Sequence, residues 1–257
     1  MVGIAPLEEG ESAAREKSGE QRISETAIMA RNAISRRIFS SMGVTSVHRK
    51  RKKLVKVHAA GSANNFSAGY FQKFYLNAAT RVVTAAEMHS RAVLIAGALK
   101  QCQIPIRSIL DAGCGIGLLR KPFSKVLPRA RYVGLEASEY LCSRFDWIRG
   151  SVIDFAPRRP FDLVICYDVL QYLPDAQAAR AIVNLSKLTR AALYVSALTK
   201  EDWRENCDRS RTDRAVHLRS GTWYRRRLNK FFRYVGFGIW VRKDVVPMLW
   251  EMERPKS

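Results

Sequence analysis

The sequence predicts an α/β fold built on a mainly parallel sheet with helices on both faces. Three observations carry that prediction. The apolar β-type run Ser108-Ile109-Leu110 leads into Asp111-Ala112-Gly113-Cys114-Gly115-Ile116-Gly117, and a helical pattern begins near Leu118. A second short apolar run, residues 131–135, ends on the acidic Glu136. From there strand-like and helix-like segments alternate to residue 196. Alternation of this kind makes the strands parallel and puts the crossover helices over the sheet faces.

The elements follow in order. Residues 1–60 are polar, mixed in charge, and carry the basic run His48-Arg49-Lys50-Arg51-Lys52-Lys53. They read as a disordered or weakly helical tail, since little apolar surface is available to offset the entropy of ordering. Residues 61–107 form a helical cap. Tyr70, Phe71, Phe74 and Tyr75 stand at helical spacing, the pattern continues through Val82, Val83 and residues 92–99, and Pro105 closes it. Strand one covers residues 108–111, and a helix over 118–126 stops before Pro128. Strand two is 131–135, with a short helix over 138–145. Strand three is 147–151 and strand four 161–167. An amphipathic helix over 175–189 carries Ala179, Ile182, Val183, Leu185 and Leu188 on its apolar stripe. Strand five is 192–196. Residues 223–232 read as an arginine-rich helix, and residues 237–241 and 248–253 as two further strands. Residues 201–257 as a whole form a C-terminal segment beside the strand ends. Its polar stretch 208–219 is expected to loop over them.

Composition agrees with such a fold. A chain of 257 residues that is 47% hydrophobic can hold one α/β domain and an extension. No apolar run reaches the ~20 residues that span a bilayer. Glu8, Glu9 and Glu11 near the start argue against a secretory signal or a transit peptide. Five scattered cysteines without a Cys-x-x-Cys pair suggest neither a metal site nor a disulfide framework, and point to reduced thiols and a cytoplasmic setting.

The glycine run has a physical purpose. Glycine lets the backbone turn sharply and approach a ligand closely, and the following helix turns free N–H groups toward it. Glu136 lies 19 residues past Gly117, close to the ~20-residue offset at which a strand-end carboxylate accepts from ribose hydroxyls. The run is spaced Gly113-x-Gly115-x-Gly117 after an aspartate, unlike the Gly-x-Gly-x-x-Gly that packs a pyrophosphate. It resembles motif I of the class I S-adenosylmethionine-dependent methyltransferases. Phe161-Asp162-Leu163-Val164-Ile165-Cys166-Tyr167 resembles the fourth strand of that fold, and Asp168-Val169-Leu170-Gln171-Tyr172-Leu173-Pro174-Asp175 the loop and helix start after it. The resemblance covers residues 108–197 and says little about substrate.

Several expectations follow from it. The fold would be Rossmann-like and doubly wound, with seven strands, the last antiparallel. Residues 108–200 would bind S-adenosylmethionine. Asp111 would accept from the methionine ammonium through water, and Gly113, Cys114, Gly115 and Gly117 would form the bend beneath it. Glu136 would hold the ribose, while Ser151, Val152 and Asp154 would lie at the adenine. Tyr167 would line the methionine end. Tyr172 and His217 are the candidates for proton handling, and Tyr70, Tyr75 and Arg81 for the acceptor pocket. No Asn/Asp-Pro-Pro-Tyr/Phe motif follows strand four, which argues against adenine-N6 and glutamine-N5 methylation.

Charge bears on the acceptor. The chain carries 44 Lys and Arg against 23 Asp and Glu, a formal +21. Residues 1–60 hold twelve basic and six acidic side chains, which leaves +15 on the remainder. A field of this sign attracts anions. A small anionic acceptor is the leading expectation. An RNA or ribosome-associated methyltransferase anchored by the basic tail is the first alternative. A non-catalytic protein that binds the same cofactor is the second.

Overall fold

The computed structural model describes residues 66–254, which belong to one unit spanning residues 58–257. The expectation of a disordered tail over residues 1–60 lies outside the described residues.

The sheet has seven strands: β1 (Ser108–Ala112), β2 (Arg131–Glu136), β3 (Ile148–Arg149), β4 (Phe161–Tyr167), β5 (Thr189–Ser196), β6 (Phe232–Gly236) and β7 (Ile239–Arg242). Their order is β3-β2-β1-β4-β5-β7-β6. β1 to β5 are mutually parallel, and β7 runs antiparallel to both β5 and β6. The chain therefore winds outward in both directions from β1 and β4, and the crevice between them opens at the carboxyl ends of the strands.

Helical segments surround the sheet or cap its end. They include α1 (Ala68–Phe71) with a wide turn at Gln72–Leu76, α2 (Ala85–Gln101), α3 (Arg120–Val126), α4 (Glu139–Phe145) and α5 (Asp175–Leu188). Beyond β5 come α6 (Lys200–Glu205) and α7 (Gly221–Leu228). Thr84 starts α2 with a reciprocal cap, its hydroxyl accepting from the Glu87 N–H while the Glu87 carboxylate accepts from Thr84.

Alternation along each strand sends side chains to two separate cores. Ile109, Leu163 and Ile165 meet Met88, Ala92, Ile95 and Leu99 of α2 and Phe123 of α3 on one face. Leu110, Val164, Cys166 and Leu193 meet Ile182, Leu185 and Leu188 of α5 and Tyr224 and Leu228 of α7 on the other. Burying each such Leu or Ile contributes roughly 1.5–3 kcal/mol, enough in sum to fix the strand register.

The C-terminal strands differ from the sequence expectation. The helix ends at Leu228, and Phe232 begins β6. Residues 237–238 form the hairpin turn, with Gly236, Phe237 and Gly238 all at positive φ. Residues 248–253 form no strand, and Glu251–Glu253 is a single helical turn. Local propensity misplaced the strand because the alternation at 232–236 is short and partly exposed, whereas tertiary pairing with β7 decides it. Among the described residues no helix is long and apolar enough to cross a membrane.

Candidate functional site

The glycine bend leaves β1 at the centre of the sheet. The Gly113 and Cys114 N–H groups both donate to the Leu135 carbonyl on β2, at 2.8 and 3.1 Å, which pins the bend to the neighbouring strand. Gly113, Gly115 and Gly117 all have positive φ, at 84°, 53° and 79°. The three are not equivalent. A Cβ on Gly113 would overlap the Val169 side chain, and one on Gly117 would stand 2.6 Å from the Trp147 ring. A Cβ on Gly115 would meet nothing within 4 Å, so this glycine faces open space.

Trp147 explains a further glycine. A Cβ on Gly134 of β2 would lie 2.5 Å from the same ring, and the indole N–H donates to the Gly115 carbonyl at 3.0 Å. Trp147 thus fills a slot made by two missing side chains and holds the bend from beneath. Sequence reasoning gave Trp147 only a place in strand three. A glycine inside a strand signals that another group approaches closely, and Gly134 was that signal.

Glu136 sits where the spacing placed it. It is buried, one carboxylate oxygen accepting from the Gly115 N–H and the other from the Ser138 N–H, each at 2.9 Å. Each oxygen keeps a second lone-pair direction. Asp111 stands one residue before the end of β1, opposite Gly134, and is 3% exposed. It accepts from the Tyr132 hydroxyl, and burial pushes its carboxyl up to about 7 despite that bond, with the Glu136 charge adding to the rise.

The expected adenine residues divide. Ser151 is half-buried, and its hydroxyl oxygen accepts from the Ile153 N–H at 3.2 Å. The Val152 side chain is buried in the core with Leu110 and Leu135. Asp154 is exposed. Asn184 of α5 ties this loop down by donating to the Val152 and Phe155 carbonyls.

Beyond β4 the chain turns sharply. Asp168 adopts φ 54°, and its N–H donates to the Ser196 carbonyl at the end of β5. Its carboxylate accepts from Gln171 at 3.3 Å, and burial raises its pKa. The Arg91 guanidinium lies over the Tyr167 ring, 4.3 Å from its centroid, and donates to the Tyr194 hydroxyl. Sequence reasoning missed Arg91. Its signal was an arginine three residues after Met88 and four before Ile95, inside the apolar stripe of α2.

The cap closes over this end of the sheet. Phe66 and Tyr70 pack edge to face, Phe66 does the same with Tyr172, and the Tyr70 and Tyr172 hydroxyls share a hydrogen bond of 2.9 Å. The Ser138 hydroxyl donates to the Phe66 carbonyl at 3.0 Å, joining the cap to the turn that holds Glu136. Burial raises the pKa of Tyr70, Tyr75, Tyr167 and Tyr172, so these phenols stay protonated. Burial does the same to the Cys114 and Cys166 thiols, which are packing groups. His217 is exposed, and its backbone joins this region, the N–H donating to the Gln171 carbonyl at 2.7 Å and the carbonyl accepting from Arg219 at 3.3 Å. Arg81 lends its carbonyl to Arg211, which links the cap to the 208–219 loop.

Residues 110–191 match the model of a family described as a methyltransferase domain. Over those residues the chain matches a methyltransferase domain, and its fold is that of S-adenosylmethionine-dependent methyltransferases. Over 75 residues the chain is 33% identical to a trans-aconitate 2-methyltransferase of Azoarcus sp. (strain BH72), covering 26% of this chain and 30% of that one. The match thus spans under a third of that relative's length. The fold is shared with magnesium protoporphyrin IX methyltransferase from Synechocystis PCC 6803, solved with bound S-adenosylmethionine. That comparison has a TM-score of 0.51 and 18% identity, covering 73% of this chain and all of the other. DesVI of Streptomyces venezuelae gives a TM-score of 0.51 at 17% identity, with 68% and 97% coverage. Among the described residues, no group of three or more His, Cys, Asp or Glu is placed to hold a metal ion.

Proposed function

We propose that this chain transfers the methyl group of S-adenosylmethionine to a small anionic molecule. The observation that carries the reading is the fixed pairing of the open Gly115 bend with the Glu136 carboxylate. A polar nucleoside ligand needs close backbone approach and an oriented strand-end acceptor, and this bend offers both. The residues therefore fit the adenosyl donor.

When bound, S-adenosylmethionine supplies a methyl group already activated by its sulfonium charge. The chain then has three tasks. Glu136 would accept from the ribose hydroxyls through its remaining lone pairs, the Gly113–Gly117 bend would support the methionine portion, and Asp111 would face its ammonium. Of the adenine-side candidates, Ser151 and Asp154 keep a polar side chain outside the core, whereas Val152 is buried in it. The aromatic cap of Phe66, Tyr70, Tyr75 and Tyr172 would exclude water and align the acceptor, which is the main demand of a reaction with so reactive a donor.

Proton removal is a lesser part of this reading. The tyrosines are held protonated, and His217 is an exposed residue. An acceptor that is already an anion needs no base. The relative from Azoarcus is named for trans-aconitate, a carboxylate anion, and the net positive charge of this chain suits such a substrate.

The test is turnover. Purified chain, labelled S-adenosylmethionine and a fractionated pool of anionic metabolites should give S-adenosylhomocysteine and a labelled small product. Calorimetry should show S-adenosylhomocysteine binding. Absence of that binding would remove the methyltransferase reading altogether.

A further inference from the structure

We propose that Arg91 is the anchor for a carboxylate group of the methyl acceptor, with the Tyr194 and Tyr167 hydroxyls beside it. The inference rests on the methyltransferase reading and names the group by which the acceptor is held.

Arg91 projects from α2 to the carboxyl ends of β4 and β5. Its charge lies half-buried among aromatic rings, above Tyr167 and 5.9 Å from the Tyr194 ring centroid. Among the described residues no carboxylate lies within ion-pair distance of it. Two acidic groups are near enough to be felt, Asp168 and Glu87. Each is otherwise engaged: Asp168 accepts from Gln171, and Glu87 accepts from the Thr84 N–H and hydroxyl.

The fork of the guanidinium is unevenly used. Nη1 donates to the Tyr194 hydroxyl, Nη2 reaches the Tyr167 hydroxyl only at 3.5 Å, and Nε is buried without a partner. Nε and Nη2 form the side-on edge of an arginine, whose two parallel N–H groups match the two oxygens of a carboxylate. Gln171 supplies a second buried and unpartnered atom in this region, its Oε1. Buried polar groups are nearly always satisfied in proteins, so two exceptions beside the turn after β4 point to a missing polar ligand. Nε is sealed from solvent, so the groups packed over it have to shift as the acceptor enters. A planar carboxylate satisfies Nε and Nη2 together, whereas an ammonium or a neutral ring leaves the charge uncompensated.

The experiment uses the full chain saturated with S-adenosylhomocysteine. A set of aliphatic and aromatic carboxylates, including trans-aconitate and benzoate, is titrated beside the uncharged amide of each. At least one carboxylate should bind, and its amide should bind at least tenfold more weakly. Arg91→Lys should weaken that carboxylate at least fivefold and Arg91→Gln at least tenfold, with S-adenosylhomocysteine affinity within twofold of wild type. Tyr194→Phe retains the arginine and should weaken the carboxylate about threefold, which keeps the test informative where Arg91→Gln does not fold. If S-adenosylhomocysteine itself fails to bind the wild type, the methyltransferase reading falls. If it binds and no carboxylate does, or the carboxylates bind Arg91→Gln equally well, or inorganic phosphate is the preferred anion, the Arg91 assignment is overturned alone.

Discussion

Two carboxylates at the ends of adjacent strands face opposite electrostatic conditions. Glu136 takes two backbone N–H bonds, while Asp111 has one phenol and deep burial. Glu136→Ala removes the partner of the Gly115 N–H together with the proposed ribose acceptor. We expect S-adenosylhomocysteine affinity to fall by about 1–3 kcal/mol, measured by calorimetry. Unchanged affinity would take Glu136 out of the ribose role. Asp111 gives a pH signature. Its folded pKa of about 7 lies above the ordinary carboxylate value of 3.8. Between those values the folded chain holds a proton that the unfolded chain releases, so this group lowers stability as pH rises through that window and levels off above it. Asn does not titrate and still accepts from Tyr132. Asp111→Asn should therefore gain on wild type by roughly 2–4 kcal/mol from pH 4 to pH 8, at about 1.4 kcal/mol per pH unit. Urea unfolding at several pH values checks this, and parallel curves for the two proteins would contradict it.

Single elements carry the preorganisation of the site. The bend after β1 is held by β2 through the Leu135 carbonyl and by Trp147 from the segment before β3. Trp147→Ala should cost about 3 kcal/mol of stability through the void left beneath Gly117 and Gly134. It should also weaken S-adenosylhomocysteine binding. Trp147→Phe keeps most of the ring and loses only the indole hydrogen bond, so it should cost about 1 kcal/mol. Denaturant midpoints separate the two, and equal losses would show that packing under the glycines is not what matters. On the other side, Arg219 is buried and donates to the Leu170, Leu173 and His217 carbonyls, the Tyr224 hydroxyl and Asp175. One side chain thus joins the turn after β4 to α7. The parts legible in the sequence were those with short-range signatures: the glycine bend, the strand-end place of Glu136, strands one, two and four, and the α5 stripe at Ile182, Leu185 and Leu188, though Val183, expected on that stripe, is exposed. Arg91, Trp147 and Arg219 were not legible, because their partners lie on other elements and no local period announces a long-range contact. The β6–β7 hairpin failed for a related reason. Its strands are four or five residues long, and the pairing of β7 with β5 that holds them to the sheet is non-local.

At the scale of the whole molecule, charge and fold act on different ligands. The chain carries a formal +21, and +15 of it lies beyond residue 60. Within the described residues the six ion pairs are mostly exposed, where pairing contributes little and salt screens it. Most of the positive charge is therefore free to act as a long-range field, which attracts anions and leaves a zwitterion largely unaffected. Screening acts over about 10 Å at 0.1 M salt. Raising the salt from 0.05 to 0.5 M should thus slow association of a carboxylate acceptor several-fold, while S-adenosylhomocysteine association stays within about twofold. Stopped-flow binding at several ionic strengths reads both. The direct contact at Arg91 is short-ranged and partly desolvated, so its loss in Arg91→Gln should appear chiefly in the dissociation rate and survive at high salt. A salt slope that vanished with Arg91→Gln would instead place the whole electrostatic attraction at that one guanidinium, and the distributed field would have no part in delivering the substrate.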